Sequence, residues 1–556
     1  MKSRALSGIL LACLGLPVLF GLAGTIAPAF GYLPALGGDQ VSLEPLRALM
    51  AEPHLKRSAL VSLTTGLVTT AMSLVLVMLF VAGYAGTRVF SRIQHLVSPL
   101  LSVPHAAAAF GLAFLVAPSG FFLRLVSPEV TGFASPPDWL VPRDPLGLTM
   151  MAGLVAKEMP FLFLVTLAAL PQVPLTQTRQ LVASLGYGRV RGFLIGTWPL
   201  IYRQIRLPVF AVIAYASSVV DVAMILGPSL PAPLSVRITA WMADSDLTMR
   251  FLASAGALLQ LGVTLAAMLV WRMFEAAGGA LLRQMSISGR RKTDDRLIRR
   301  AACAGIALSA AAIFLGLLVL LLWSVAGLWP FPAVLPQSLT LKPWIRALPQ
   351  ITEPILMTLA LAIGSAAIAV LLAIGLLWQD RLHGSRVFQF VLYLPLIVPQ
   401  ICFLFGIQIL GLLLGLDASF PLLLFVHLIF VSPYAFLSLS LPWQALDRRY
   451  ERIAAALGAG PWRILLRIRL PMLTRAWLTA FAVGFSVSVG LYLPTLLIGA
   501  GRITTITTEA VALSSGGDRR IIGVYALLQA LLPLIGFLIA SLAPHLLFRD
   551  RRAMRI

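Results

Sequence analysis

The sequence predicts an all-α integral membrane protein, with about 12 transmembrane helices arranged as two parallel-repeat halves of six. Three observations predict it. Apolar residues make up 59% of the 556 and charged residues only 12%, against roughly 45–50% and about 25% in soluble domains, and mean hydropathy is +0.92. Twelve runs are long and apolar enough to cross a bilayer. The last six of them repeat landmarks of the first six in the same order. A soluble enzyme, a disordered scaffold and a disulfide-bonded secreted protein are all excluded by this composition.

A spanning helix needs about 20 mainly apolar residues. The candidates are 6–28, 58–84, 95–118, 147–170, 206–228, 252–274, 301–325, 353–378, 388–414, 419–441, 474–500 and 521–548. The first follows Met1-Lys2-Ser3-Arg4 and resembles a secretory signal, but eleven further spans favour a retained helix. Cys13, Cys303 and Cys402 all lie in apolar runs without metal-ligand spacing, and read as core residues.

Charge gives the orientation. With a cytoplasmic N-terminus, thirty of the 43 Lys and Arg fall in inner segments and twelve in outer ones, and Lys157 alone lies within a span. Acidic residues divide as seven inner, twelve outer and two within spans, so the whole excess behind the formal charge of +22 belongs to the inner face. By the positive-inside rule both termini are expected on the cytoplasmic side of a bacterial inner membrane. The lipid bilayer, not nucleic acid, is then the partner this charge implies.

The most hydrophilic stretch, Arg283 to Arg296, lies midway along the chain. It predicts a first half at 1–275, a basic cytoplasmic linker at 276–300 and a second half at 301–556. The halves share ordered landmarks. Val103-Pro104-His105 matches Val398-Pro399-Gln400, Gly111 matches Gly406, Pro160 matches Pro433, and Ala257-Leu258-Leu259-Gln260 recurs as Ala526-Leu527-Leu528-Gln529. The offset drops by about 22 across one loop, which places an outer insertion at roughly 117–146. Six spans per half make the repeats parallel.

The inner loops after spans four and ten carry the most information. One contains Ala183, Gly186 and Pro199; the other contains Glu451, Ala454, Ala455, Gly458, Pro461 and Pro471. In both, Pro follows Gly by thirteen residues. A Gly that ends one short helix and a Pro that suits the first turn of the next make a compact elbow. The second loop resembles the EAA loop of binding-protein-dependent ABC importer permeases, matching it at Ala454, Gly458, Ile468, Leu470 and Pro471. Its Glu451 is one position early, and the first loop keeps Gly186 and Pro199 but lacks the Glu and the Ala pair. Two longer segments, 154–162 and 492–517, resemble a branch of fused permeases related to the ferric-iron and thiamine permeases. The resemblance spans nearly the whole chain and implies a type I (MetI-like) importer fold. It also implies an ABC ATPase dimer that uses ATP and Mg, a periplasmic solute-binding protein, and thiamine or ferric iron as the solute. The chain has no Gly-x-x-x-x-Gly-Lys-Ser/Thr loop of its own, so it is expected to be a transport subunit, not an enzyme, with no bound cofactor or metal.

Charged and polar residues inside spans are costly and often functional. His105, Lys157, Glu158, Asp221, Gln400 and Tyr492 are therefore the candidates for a translocation pathway. Two rivals stand beside the importer. A twelve-span ion-coupled secondary transporter requires intramembrane acids in both halves, and Glu158 and Asp221 are both in the first. A membrane-embedded enzyme requires clustered His or acids, and the six histidines are scattered.

Overall fold

The structure, a computed structural model, describes residues 2–289, 291, 294–379 and 386–547, with the side chains of 2–14, 386–389 and 547 outside that description. Cys13, Arg290, Lys292, His383 and the basic tail at 549–555 therefore lie outside the described residues. Among the described residues there is no β-strand.

Leaving short turns unlabelled, the chain runs α1 (Lys2–Ala29), α2 (Leu55–Tyr84), α3 (Arg88–Val97), α4 (His105–Val116), α5 (Leu148–Ala169), α6 (Leu175–Ser184) and α7 (Arg189–Gly196). It continues through α8 (Trp198–Ser218), α9 (Asp221–Leu226), α10 (Leu234–Met242) and α11 (Met249–Ile287). The same series then recurs as α12 (Arg296–Ser324), α13 (Lys342–Trp378), α14 (Arg386–Ile397), α15 (Ile401–Leu413), α16 (Phe420–Ala445), α17 (Arg449–Ala456) and α18 (Pro461–Ile464). It closes with α19 (Thr474–Gly490), α20 (Leu493–Gly499), α21 (Ile506–Ala512) and α22 (Arg519–Leu547). Each helix of the first series has its counterpart eleven labels later.

Helix occupies every expected span, but not every span is one rod. Among the described residues, eight helices are long and apolar enough to cross a membrane, or ten if two bent pairs each count once. The expected span 388–414 bends by 97° between α14 and α15, where Pro399 interrupts it. The expected span 474–500 stops at Gly490 and restarts at Leu493, and α19 is itself bent by 76° from the segment before it. The expected span 206–228 breaks likewise between Ser218 and Asp221. The start of α8 is polar: Tyr202 and Arg206 both bond Glu275 of α11.

Matched glutamines hold the breaks at 219–220 and 491–492. Gln260 donates to the Ser217 carbonyl at 3.0 Å. Its counterpart Gln529 donates to Thr507, whose hydroxyl donates to the Val489 carbonyl. The chain ends freed by each break are thus satisfied inside the protein, as an apolar solvent requires.

The two series are interleaved. The core of the first is α2, α5 and α8, and that of the second α13, α16 and α19. The leading helices cross over: α1 packs on α15, and α12 packs on α4. Each crossing is a glycine contact. A Cβ on Gly406 would lie 2.0 Å from the Gly21 oxygen, and one on Gly111 would lie 2.8 Å from the Gly316 carbonyl carbon. Small residues let helix backbones approach where lipid provides no hydrophobic drive between them.

The region of the expected linker at 276–300 is helical at both of its ends. Helix α11 runs to Ile287 and α12 begins at Arg296; the rod continues beyond its apolar part even through Gly278 and Gly279, between stronger helix formers on either side. At the other end of the helices, the insertion at 117–146 is anchored to the second series. Arg124, only 3% exposed, donates to the carbonyls of Pro330 and Ala333 and stacks on Trp329 at 5.0 Å.

Candidate functional site

Two regions gather the sequence-derived candidates. The first is a polar cluster within the helices. Neighbours in sequence do not share a helix face, so Lys157 and Glu158 on α5 point to different partners. Glu158 meets His105, at the first turn of α4, with Nε2 to Oε1 of 2.9 Å. The His105 ring packs on Tyr215 of α8 at 4.7 Å. Asp221 opens α9 and lies within electrostatic range of His105, Tyr215 and Tyr492. The Tyr492 hydroxyl reaches the Met224 sulfur of α9 at 3.3 Å. Four helices and the residue that caps α20 thus bring two carboxylates, one imidazole and two phenols together. Glu158 is 5% exposed and Asp221 is 7% exposed, but the His105 side chain keeps 32%. That leaves the imidazole accessible from one side.

Two candidates fall elsewhere. Lys157 donates to the carbonyls of Leu100 and Leu101 at 2.9 and 3.2 Å and pins the turn between α3 and α4. Gln400 stands at the bend between α14 and α15, and among the described residues no hydrogen bond joins it to the cluster. Sequence reasoning missed Tyr215. Its signal was its place six residues before Asp221, at the end of the same broken span.

The second region is the pair of elbows. Gly186 and Gly458 have φ of +77° and +81°. In each, the Gly amide bonds back three residues (to Ala183 and Ala455) and the next amide bonds back five (to Val182 and Ala454). This is a Schellman ending, which a Cβ at the left-handed position disfavours. Pro199 stands in the first turn of α8, and Pro471 in a three-residue helical segment, Leu470–Met472, just before α19. Ala455 and Ala183 are exposed, whereas Ala454, expected to face a partner, is buried at 7%.

Elbow two is locked from within. Arg469 pairs with Glu451 at 2.6 Å, lies over the Trp443 ring at 4.1 Å and donates to the Trp443 carbonyl. Beside it a cavity of about 640 Å³ is lined by Trp378, Glu451, Arg452, Ala455 and Pro461 among others. The elbows also expose large apolar side chains that the motif comparison did not single out. Leu181 and Leu185 are 62% and 47% exposed, and Ile453 and Leu457, at the same offset of 272, are 60% and 83% exposed. Each pair is spaced i, i+4 and so forms one ridge. Apolar residues recurring in a basic loop were the sequence signal.

Residues 382–549 match the family described as binding-protein-dependent transport system inner membrane component. The inner membrane ABC transporter permease protein YnjC of Escherichia coli is 30% identical over 539 residues, covering 95% of this chain and 96% of that protein. The thiamine transport system permease protein ThiP of E. coli is 27% identical over 70% of each chain. The putrescine transport system permease protein PotI of E. coli is 26% identical over 33% of this chain and 65% of its own. Bent helices, crossed leading helices and paired Gly elbows are thus set in a sequence that aligns almost end to end with an inner-membrane permease. The chain belongs to the permeases of binding-protein-dependent ABC transport systems.

Proposed function

We propose that this chain is the membrane pathway of an ATP-driven importer. A periplasmic binding protein delivers the solute to the face opposite the elbows. A separate pair of ABC ATPase subunits, using ATP and Mg, docks on the elbows at Gly186 and Gly458. Their closure tilts residues 1–275 against 301–556 and exposes the pathway alternately to each side. Both termini and the basic linker then face the cytoplasm, as the distribution of Lys and Arg favours.

The observation that carries this reading is the matched pair of exposed ridges, Leu181 with Leu185 and Ile453 with Leu457, on two elbows of the same construction. Exposed apolar ridges on a rigid basic elbow fit a protein partner. Changing Ile453 and Leu457 together to Asp is expected to abolish co-purification of the ATPase subunits, with membrane abundance of the chain unchanged. Retained co-purification would sink the docking assignment.

The cluster of His105, Glu158, Tyr215, Asp221 and Tyr492 lies on the pathway and suits a cation, since carboxylates and tyrosyl faces both attract positive charge. Thiamine and ferric iron are the solutes to test first. Asp221→Asn removes one charge with almost no change in volume. Uptake is expected to fall about tenfold, the equivalent of 1.4 kcal/mol. Unchanged uptake at equal abundance would remove Asp221 from the pathway.

A further inference from the structure

The two elbows share one backbone but not one means of support. In the second, Glu451 and Arg469 form an internal brace. At the offset of 272 the first elbow has Arg179 and Thr197 in those places, so that brace has no equivalent there. The chain between the two series supplies the missing carboxylate. Asp295, 6% exposed, accepts the Val190 amide at 2.8 Å and caps the first turn of α7. Arg191 donates to the Met285 carbonyl at 2.7 Å and to the Ser288 hydroxyl at 3.2 Å. The Arg291 stem lies over Gly186, where an added Cβ would be 3.0 Å from its Cδ. Over Gly458 and Gly460 the corresponding space is open. Among the described residues, one elbow is therefore covered by the connecting chain, and the space over the other is open.

We propose that the connecting residues 285–289 and 295 are an integral part of the first elbow, with Asp295 as its positioning residue. The first ATPase subunit then docks on a composite surface of elbow and connector, and the second docks on the elbow alone. The two docking sites of one chain are thus chemically different, and the connector transmits motion as well as joining the halves. The docking part rests on the importer reading above; the brace itself does not.

The test separates the two. In the purified full-length chain without ATPase, Asp295→Ala is expected to raise amide hydrogen exchange across 189–196 about tenfold, the cost of one buried charge-assisted bond. Exchange across 461–472 should stay unchanged. Asp295→Asn, which keeps an acceptor oxygen, should restore protection of 189–196. With the cognate ABC ATPase subunit co-expressed, Asp295→Ala should also lower ATP-coupled uptake several-fold at equal chain abundance, and Asp295→Asn should recover it. Unchanged exchange at 189–196 would overturn the brace. Raised exchange with uptake unchanged would overturn the composite docking surface. If the wild-type chain retains no ATPase subunit, the importer reading fails, and the exchange result still decides the brace.

Discussion

Gly406→Val is expected to prevent assembly of the folded chain, with membrane abundance falling to near background. The reason is geometric. At Gly406 a Cβ would fall 2.0 Å from the Gly21 oxygen, a backbone atom that no rotamer change moves. Overpacking costs about 1–3 kcal/mol where side chains can shift; between two helix backbones the helices themselves must separate. That would pull α1 off α15 and open one of the two crossings that join the series. Gly111→Val should act in the same sense at Gly316, and more mildly, since the nearest atom is 2.8 Å away. Gly262→Ala, where nothing lies within 4 Å, is the control and should leave abundance unchanged. Quantitative immunodetection of membrane fractions reads all three; normal abundance of Gly406→Val would show that the crossing is not needed for assembly.

The second large effect is expected at Arg469. The residue is 8% exposed, and its guanidinium lies over Trp443 and 5.8 Å from the Trp378 centroid and pairs with Glu451. Breaking a fully buried pair from one side costs about 3–5 kcal/mol, because the other charge stays behind; Glu451 keeps 22% exposure, so the loss here falls below that range. Arg469→Ala should therefore disorder the second elbow and lower ATP-coupled uptake by more than tenfold, while the rest of the chain inserts normally. Arg469→Lys should not rescue it, since a point charge cannot both stack on an indole and reach two acceptors. The double variant Glu451→Gln, Arg469→Met should recover more than either single change, because no buried charge remains unpaired. Protease accessibility at 449–472 gives the structural readout. A fully active Arg469→Ala chain would remove the brace from the coupling mechanism.

Much of the architecture is legible in the residues. The spans follow from apolar run length, since a bilayer leaves the backbone no partner but itself. The repeat follows from landmarks kept in order, and Gly186 and Gly458 were readable as helix endings from the residues around them. Local chemistry sets all of these. The breaks at 219–220 and 491–492 were less visible. No proline occupies either pair, and what sustains the breaks is Gln260 and Gln529 reaching in from helices that lie about 40 residues further along the chain.

The sequence by itself determined that this chain lives in a membrane, that it is built twice over, and that its matched elbows turn on left-handed glycines. Each follows from the period, charge or conformational range of nearby residues. Only the tertiary structure decided which polar residues meet. It sent Lys157 to backbone carbonyls and Glu158 to His105, added Tyr215, and left Gln400 apart. It also placed Asp295 against Val190, 105 residues away. The physical reason is that a buried polar group must find a partner wherever the packed helices place one, and that place depends on helix rotation and crossing, which spacing along the chain does not encode.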